Sequence, residues 1–216
     1  MIEFVFYDLD GVLINSENMH YECWKVVLDD IGVKLSKNDY HYLKGKSTNE
    51  IASSMIETNN IKLTKEKLML LKRKAFIKKI PLIKTNNSIL EVIEYCNIEN
   101  IKMGVVTAST KFNAVAILEN NNILEKFEFI IAREDSIRNK PFPDLYIKGL
   151  QLASVNPVNS IAIEDSITGY LAATSANIPC IFFNENPHLI GIGDKHIMTS
   201  YCSNQIINYI RNKNEQ

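Results

Sequence analysis

The sequence is poor in the features that mark several specialised classes of protein. Its 216 residues include only 8 glycines, 6 prolines and 4 cysteines, while hydrophobic residues make up 46% and charged residues 23%. This composition is typical of a soluble globular protein, and it excludes a collagen, a wholly disordered chain and a small disulfide-stabilised domain. At about 150 residues per domain, the length predicts one domain with something added to it.

The cysteines lack the spacing of a redox or zinc motif. Cys23, Cys96, Cys180 and Cys202 are scattered along the chain, and none of them forms a C-x-x-C pair. Isolated cysteines of this kind are typical of proteins from a reducing compartment. We therefore expect reduced, mostly buried thiols and a cytoplasmic location.

Neither charge nor hydrophobic runs point to a nucleic acid or a membrane. The chain has 24 Lys and Arg against 25 Asp and Glu, a net charge of -1, so it has no surplus of positive charge for a phosphate backbone. Its longest apolar runs fall far short of the roughly 20 residues that a membrane helix needs. The apolar start, Ile2 to Tyr7, is too short for a signal peptide and is interrupted by Glu3.

Most of the chain alternates between strand and helix patterns. Short apolar strands followed by helices are typical of an α/β fold, a doubly wound (Rossmann-like) parallel sheet with helices on both faces. The predicted strands are 2–7, 102–107, 128–132, 160–163 and 180–183, and the predicted helices between them are 89–97, 111–120, 143–153 and 168–176.

One long segment, residues 15–85, has only helical patterns. Its first helix carries Trp24, Val27, Leu28 and Ile31 at helical spacing. Ser36 with Asp39, and Ser47 with Glu50, have the spacing of capping boxes, and a last helix is predicted from Thr64 to Ile80. We predict an α-helical cap domain at 15–85, inserted into a core domain made of 1–14 and 86–216.

Charge divides along the same boundary. Residues 15–85 contain 14 Lys and Arg against 8 Asp and Glu, whereas the rest contains 10 against 17. One interpretation is that most of the basic residues between 72 and 79 form a solvated helix face. The other is that a basic lid over an acidic pocket attracts an anionic substrate.

Two aspartates follow the first predicted strand. Asp8 and Asp10 are separated by one residue, so in an extended chain both carboxylates point to the same side. Gly11 allows a sharp turn directly after them. A bare D-x-D of this kind is also compatible with two helix caps, so other residues have to decide.

Polar residues also lie at the carboxyl ends of three other predicted strands, or in the loops just beyond them. Thr107 ends one strand, Lys140 precedes a proline-rich approach to a helix, and Glu164 and Asp165 follow another strand. The carboxyl ends of parallel strands meet at one edge of a doubly wound sheet. The sequence thus predicts a hydroxyl, an ammonium and four carboxylates at that edge. If all of them are ionised, the carboxylates carry a charge of about −4 against +1 on the ammonium.

These residues occur as an ordered set of motifs. The set resembles the haloacid dehalogenase superfamily, and it is closest to the branch of helical-cap enzymes that holds β-phosphoglucomutase and small sugar-phosphate and phosphoglycolate phosphatases. The motifs are Asp8-Leu9-Asp10-Gly11-Val12, Thr107, Lys140-Pro141-Phe142-Pro143-Asp144 and Glu164-Asp165-Ser166-Ile167-Thr168-Gly169. Thr48 stands where the mutases carry an arginine for the substrate's second phosphate, which argues against mutase activity.

The resemblance implies a role for each motif residue. Asp8 is the expected nucleophile, Asp10 the general acid and base, and Thr107 and Lys140 hold the transferred phosphoryl group. The implied Mg²⁺ ligands are Asp8, the main-chain carbonyl of Asp10, Asp165 and, directly or through water, Glu164. The implied intermediate is an aspartyl-phosphate on Asp8.

Further residues are candidates for substrate binding. They are His20, Lys44, Lys46, Ser109 and Lys111. For His20 a packed structural role is equally open, and Ser109 or Thr110 is equally a helix N-cap. We predict a phosphatase for a small phosphorylated metabolite, either a monomer or a weak homodimer. A β-phosphoglucomutase-type mutase and a non-catalytic phospho-ligand-binding module are the alternatives.

Overall fold

The computed structural model describes residues 1–43, 47–183, 197–200 and 202–215. The chain divides into two compact units, one made of Met1–Asn15 with Lys84–Gln216 and the other of Ser16–Ile83. We retain as a proposal that they work as a core domain and a cap domain.

The larger unit is built on a sheet with six strands among the residues that the structure describes. Every pair of neighbouring strands is parallel, and the spatial order is β3-β2-β1-β4-β5-β6. The strands are β1 (Phe4–Tyr7), β2 (Lys102–Val106), β3 (Phe129–Ile131), β4 (Ser160–Glu164), β5 (Cys180–Phe183) and β6 (Ile197–Ser200). The predicted fold class is confirmed. The strand order reverses direction at β1, and in such sheets ligands bind beyond the carboxyl end of the strand at the reversal.

Helices cover both faces of this sheet. They are α5 (Asn87–Ile98), α6 (Lys111–Asn120), α7 (Asp144–Ala153), α8 (Ile167–Ser175) and α9 (Ser203–Asn214). Phe4 and Phe6 of β1 belong to a buried cluster with Tyr146 of α7 and Tyr170 of α8. Tyr7 points to the opposite face, where its hydroxyl lies 3.6 Å from Cys96 Sγ of α5. Adjacent residues of β1 therefore anchor helices on opposite sides.

The described residues of the smaller unit form four α-helices. They are α1 (Glu17–Asp29), α2 (Lys37–His41), α3 (Thr48–Asn59) and α4 (Lys65–Lys79). Trp24 and Leu28 of α1, Met55 of α3 and Leu68 of α4 form its buried core. Both predicted capping boxes are present, at the starts of α2 and α3. Ile31 was expected to continue the apolar face of α1, but it lies beyond the helix and is 36% exposed.

Among the described strands and α-helices of the sheet unit, β6 and α9 were not predicted. The four cysteines are free thiols, and all except Cys202 are buried. Among the described residues, no helix is both long and apolar enough to cross a membrane.

Candidate active site

The loop after β1 places two aspartates at the carboxyl end of the sheet. Strand pairing extends to Asp8, whose amide donates to the Ile163 carbonyl at 3.0 Å. The chain then turns back, and the Gly11 amide donates to the Ile14 carbonyl at 2.7 Å. Gly11 has a φ of +88°, and a Cβ there would lie 1.8 Å from Asp165 Oδ2. A glycine is therefore required both for the turn and for the approach of Asp165.

Lys140 connects three elements at this edge. Its Nζ donates to Asp8 Oδ1 at 2.7 Å, to Glu164 Oε1 at 2.6 Å and to the Val106 carbonyl at 2.8 Å. Burial alone would lower the pKa of Lys140, but the two carboxylates outweigh it and raise that pKa above its usual value. The ammonium is thus a fixed positive charge between Asp8 and Glu164.

Glu164 is fully buried, and its two oxygens have different surroundings. Oε1 accepts from Lys140 and from the Tyr146 hydroxyl, at a very short distance in the second case. Oε2 is buried and has no hydrogen-bond partner within the described part of the chain. Gly169 lies against it, since a Cβ at that position would be 1.8 Å from Oε2. A buried oxygen with no donor is an unsatisfied acceptor, which a cation or its bound water would satisfy.

Three carboxylates lie together here. One oxygen of each of Asp8, Glu164 and Asp165 lies within 4.8 Å of the others. Burial, added to the charges of Glu164 and Asp165, raises the pKa of Asp8 in spite of Lys140. Burial and the charges of Glu164 and Asp10 raise the pKa of Asp165 to about 7. The single positive charge of Lys140 does not balance the three carboxylates. A cluster that offers only oxygen ligands fits a hard divalent cation such as Mg²⁺.

Asp10 accepts a hydrogen bond from the loop that follows β2, the strand next to β1. The Ser109 hydroxyl donates to Asp10 Oδ2 at 2.5 Å, and the Ser109 amide donates to the Thr107 hydroxyl oxygen at 2.9 Å. Thr107 is 1% exposed. Thr110, not Ser109, caps α6, because its hydroxyl accepts from the Asn113 amide. Ser109 thus contacts the candidate acid and base, while its predicted contact with substrate stays a prediction.

The other predicted substrate residue of this unit, Lys111, begins α6 and contacts β3 and the residues that follow it. Lys111 Nζ donates to the Ile130 carbonyl and lies 3.7 Å from Asp135 Oδ2. The Lys111 amide donates to Glu134 Oε2 at 3.0 Å. Both polar ends of Lys111 thus already have partners, and its substrate contact stays a prediction. The predictions for Lys44 and Lys46 lie outside the described residues.

His20, in the helical unit, has a basic partner. Its Nδ1 lies 2.9 Å from Lys72 Nζ, and its ring stacks on Phe76 with centroids 4.8 Å apart. Lys72 is 7% exposed, so including it in a solvated face was wrong, although Arg73 and Lys74 are exposed. Leu68, Lys72 and Phe76 are spaced by four residues on the buried side of α4. That spacing predicts that Lys72 lies on the buried side of the helix, which a count of charges along the sequence does not show.

Tyr146 is the second residue that sequence reasoning missed. It lies on the buried face of α7 with Leu145 and Gly149. Helical periodicity places Tyr146 in the core, but no sequence pattern predicts that its hydroxyl reaches Glu164. Burial and the Glu164 charge raise the pKa of this phenol, so it is a hydrogen-bond donor.

Comparison with known proteins agrees with this geometry. The sequence profile of the haloacid dehalogenase-like hydrolases matches residues 5–183, and the chain belongs to that family. It is 29% identical over 196 residues to a β-phosphoglucomutase of Bacillus subtilis, covering 87% of this chain and 85% of that protein. It is 27% identical over 186 residues to a phosphorylated carbohydrates phosphatase of Thermotoga maritima, covering 84% of each.

A solved crystal structure has the same fold as this chain. The crystal structure of β-phosphoglucomutase from Clostridium difficile superposes with a TM-score of 0.80 at 28% identity, covering 100% of this chain and 98% of that one. The predicted superfamily is therefore confirmed, and so is its helical-cap branch.

Proposed function

We propose that the chain is a Mg²⁺-dependent phosphatase that hydrolyses small phosphorylated metabolites of the sugar-phosphate or phosphoglycolate type. The observation that supports this best is the buried Asp8, hydrogen-bonded to Lys140 and grouped with Glu164 and Asp165. Relatives named as phosphatases of phosphorylated carbohydrates make the same activity the first to test.

In this proposal Asp8 carries out the phosphoryl-transfer step. A carboxylate oxygen of Asp8 attacks phosphorus and forms an O–P bond, while the bond to the leaving oxygen breaks. The Lys140 ammonium orients Asp8 and holds the transferred phosphoryl oxygens. The Thr107 hydroxyl oxygen already accepts from the Ser109 amide, which leaves its proton to donate to another of these oxygens.

Asp10 performs the proton transfers. It protonates the leaving oxygen in the first step and then takes a proton from the water that hydrolyses the phosphorylated Asp8. Its hydrogen bond from Ser109 holds its carboxyl group in one orientation.

The metal would be held by Asp8, Asp165 and Glu164, together with the main-chain carbonyl of Asp10. Bound there, Mg²⁺ supplies positive charge that neutralises the carboxylates and the phosphate dianion. Free thiols in all four cysteines agree with the proposed cytoplasmic location.

The test is phosphate release from a panel of sugar phosphates, phosphoglycolate and nucleotides. We expect turnover with Mg²⁺, none in EDTA, and none with Asp8→Asn because the amide is no nucleophile. Asp30→Asn, the same change at an exposed position, is the matched control and should keep wild-type activity. A non-catalytic phospho-ligand-binding module replaces this proposal if the folded wild type binds phosphate esters and releases no phosphate from any of them.

A β-phosphoglucomutase-type mutase is the second candidate, because two of the compared proteins carry that name. Thr48 argues against it, since a hydroxyl does not replace the charged fork of an arginine on a second phosphate. The discriminating assay supplies β-glucose 1-phosphate with a bisphosphate primer. Formation of the 6-phosphate without free phosphate would replace the phosphatase proposal.

A further inference from the structure

Among the described residues, the Tyr146 hydroxyl has one hydrogen-bond partner, Glu164 of the candidate metal site. Tyr146 is fully buried in α7, and its hydroxyl donates to Glu164 Oε1. Its ring meets Phe6 of β1 edge to face, with centroids 6.0 Å apart. Lys140 Nζ lies 5.4 Å from the centre of the same ring. Packing alone would be served by a phenylalanine, so the hydroxyl needs a separate explanation.

The two oxygens of Glu164 supply that explanation. Oε1 lies between two donors, Lys140 and Tyr146, whereas Oε2 has no donor among the described residues and lies beside Gly169. Two donors on one oxygen fix the plane of a carboxylate and leave the other oxygen for a different ligand. A single hydrogen bond from Lys140 would leave the carboxylate able to turn about Oε1, and the second bond, from Tyr146, removes that freedom.

We propose that Tyr146 is a positioning residue for the metal site, which acts through Glu164 and touches neither metal nor substrate. The inference rests on the proposed function only in taking Asp8, Glu164 and Asp165 as a Mg²⁺ site. Residues that orient a metal ligand typically contribute a factor of about 10–100 to metal affinity.

Removing the Tyr146 hydroxyl has two opposite effects on Mg²⁺ binding, so the direction in which the Kd changes shows which effect is larger. Deleting the phenol leaves more negative charge on Glu164, which by itself would tighten Mg²⁺ binding. It also lets the carboxylate turn towards Lys140 and away from its place beside Asp8 and Asp165, which weakens binding. The proposal requires the loss of orientation to be the larger effect.

The experiment compares Tyr146→Phe with Tyr7→Phe. Both variants remove one hydroxyl from a fully buried tyrosine, but the Tyr7 hydroxyl contacts Cys96 on the other face of the sheet. Mg²⁺ binding to each metal-free full-length protein is measured by calorimetry, with the melting temperature recorded alongside. We expect Tyr146→Phe to raise the Mg²⁺ Kd roughly 10–100-fold and Tyr7→Phe to leave it unchanged.

Phosphatase kinetics give a second, independent reading. In Tyr146→Phe the Mg²⁺ concentration for half-maximal activity should rise by the same factor, and kcat should recover at saturating Mg²⁺. Damage to the fold would lower kcat at every Mg²⁺ concentration. In a Glu164→Gln background, adding Tyr146→Phe should change the Mg²⁺ Kd less than twofold, because glutamine has an NH₂ group in place of the second carboxylate oxygen and Tyr146 then has no metal ligand to orient.

An unchanged or tighter Mg²⁺ Kd in folded Tyr146→Phe overturns the inference, as does an undiminished effect in the Glu164→Gln background. If Tyr146→Phe destabilises the fold, the same comparison at a lower temperature decides it. A wild type that binds Mg²⁺ with this dependence on Tyr146 but releases no phosphate would refute the proposed function and leave the inference standing.

Discussion

At the scale of single residues, two glycines leave room for carboxylates of the candidate metal site. Gly11 and Gly169 each lie against a carboxylate, and a Cβ at either position would be 1.8 Å from an oxygen of Asp165 or Glu164. No side chain can be accommodated at such a distance without moving the carboxylate. The glycines of the first and last motifs are thus explained by contacts with two candidate metal ligands.

Gly169→Ala tests this explanation, because helix propensity and site geometry predict opposite effects. Gly169 lies in α8, where alanine is intrinsically favoured over glycine by up to about 1 kcal/mol. The added methyl group must nevertheless displace Glu164. We expect the Mg²⁺ Kd to rise at least roughly tenfold, measured by calorimetry, although the helix itself is not weakened.

Gly149→Ala is the matched control for that variant. Gly149 also lies in a helix, α7, but a Cβ there would meet the Phe6 ring at 2.9 Å instead of a carboxylate. It should lower the melting temperature and leave the Mg²⁺ Kd unchanged. Equal Mg²⁺ affinities in the two variants would remove the proposed role of Gly169.

At the scale of elements, the strand ends were predictable and the contacts between them were not. β1, residues 103–106 of β2 and residues 161–163 of β4 are uninterrupted by polar side chains, because both faces of a parallel sheet are covered, and each run leads directly into a polar residue: Asp8, Thr107 or Glu164. That pattern placed the candidate site. The Val106 carbonyl as a Lys140 partner and the Tyr146 hydroxyl depend on how loops and helices pack, which spacing does not encode.

Other elements were missed for reasons of pattern. The four residues of β6, Ile197–Ser200, include only two apolar ones, too few to establish a strand by alternation. Lys72 was placed with its exposed neighbours because charge was counted by sequence position and not by helix face. A four-residue spacing with Leu68 and Phe76 would have placed it on the buried side.

The start of α3 gives a prediction at this scale. The Ser47 hydroxyl accepts from the Glu50 amide at 3.2 Å, and the Ser47 amide donates to Glu50 Oε2 at 2.8 Å. Ser47→Ala removes the first bond and should lower the free energy of unfolding by about 1 kcal/mol. Urea denaturation followed by circular dichroism measures this change.

Ser54→Ala is the control for the cap. Ser54 lies inside the same helix, where alanine has the higher helix propensity, so this variant should be as stable as the wild type or slightly more stable. If both variants shift the urea midpoint alike, the cap at Ser47 contributes nothing measurable.

At the scale of the whole molecule, the near-neutral net charge is the sum of two opposite charges. Residues 15–85 carry a surplus of Lys and Arg and the remainder a surplus of Asp and Glu. Asp8, Glu164 and Asp165 belong to the acidic remainder, so a phosphate dianion meets repulsion at the site itself. In the proposed function, a bound metal and Lys140 attract the anionic substrate, and we predict that basic residues of the helical segment add to this attraction.

Lys44 and Lys46 are the predicted substrate residues of that segment. Substitutions at these two positions test whether its positive charge attracts the substrate. Charge reversal at either position should raise KM for a phosphorylated substrate about 10–150-fold, because a hydrogen bond to a charged group contributes about 1.5–3 kcal/mol. kcat should change far less, since neither residue belongs to the proposed transfer machinery. The measurement is steady-state phosphate release at two ionic strengths.

Lys62→Glu separates a direct contact from a long-range field. Lys62 is exposed in the same helical unit, and its Nζ donates only to Asn60 among the contacts described. A field effect from any of these lysines disappears near 0.15 M salt, where the Debye length is about 8 Å, whereas a direct contact persists. We therefore expect Lys44→Glu or Lys46→Glu to keep a raised KM at that salt concentration and Lys62→Glu to return to the wild-type value. An unchanged KM for the first two variants even at low salt would mean that the helical segment contributes no charge to substrate binding.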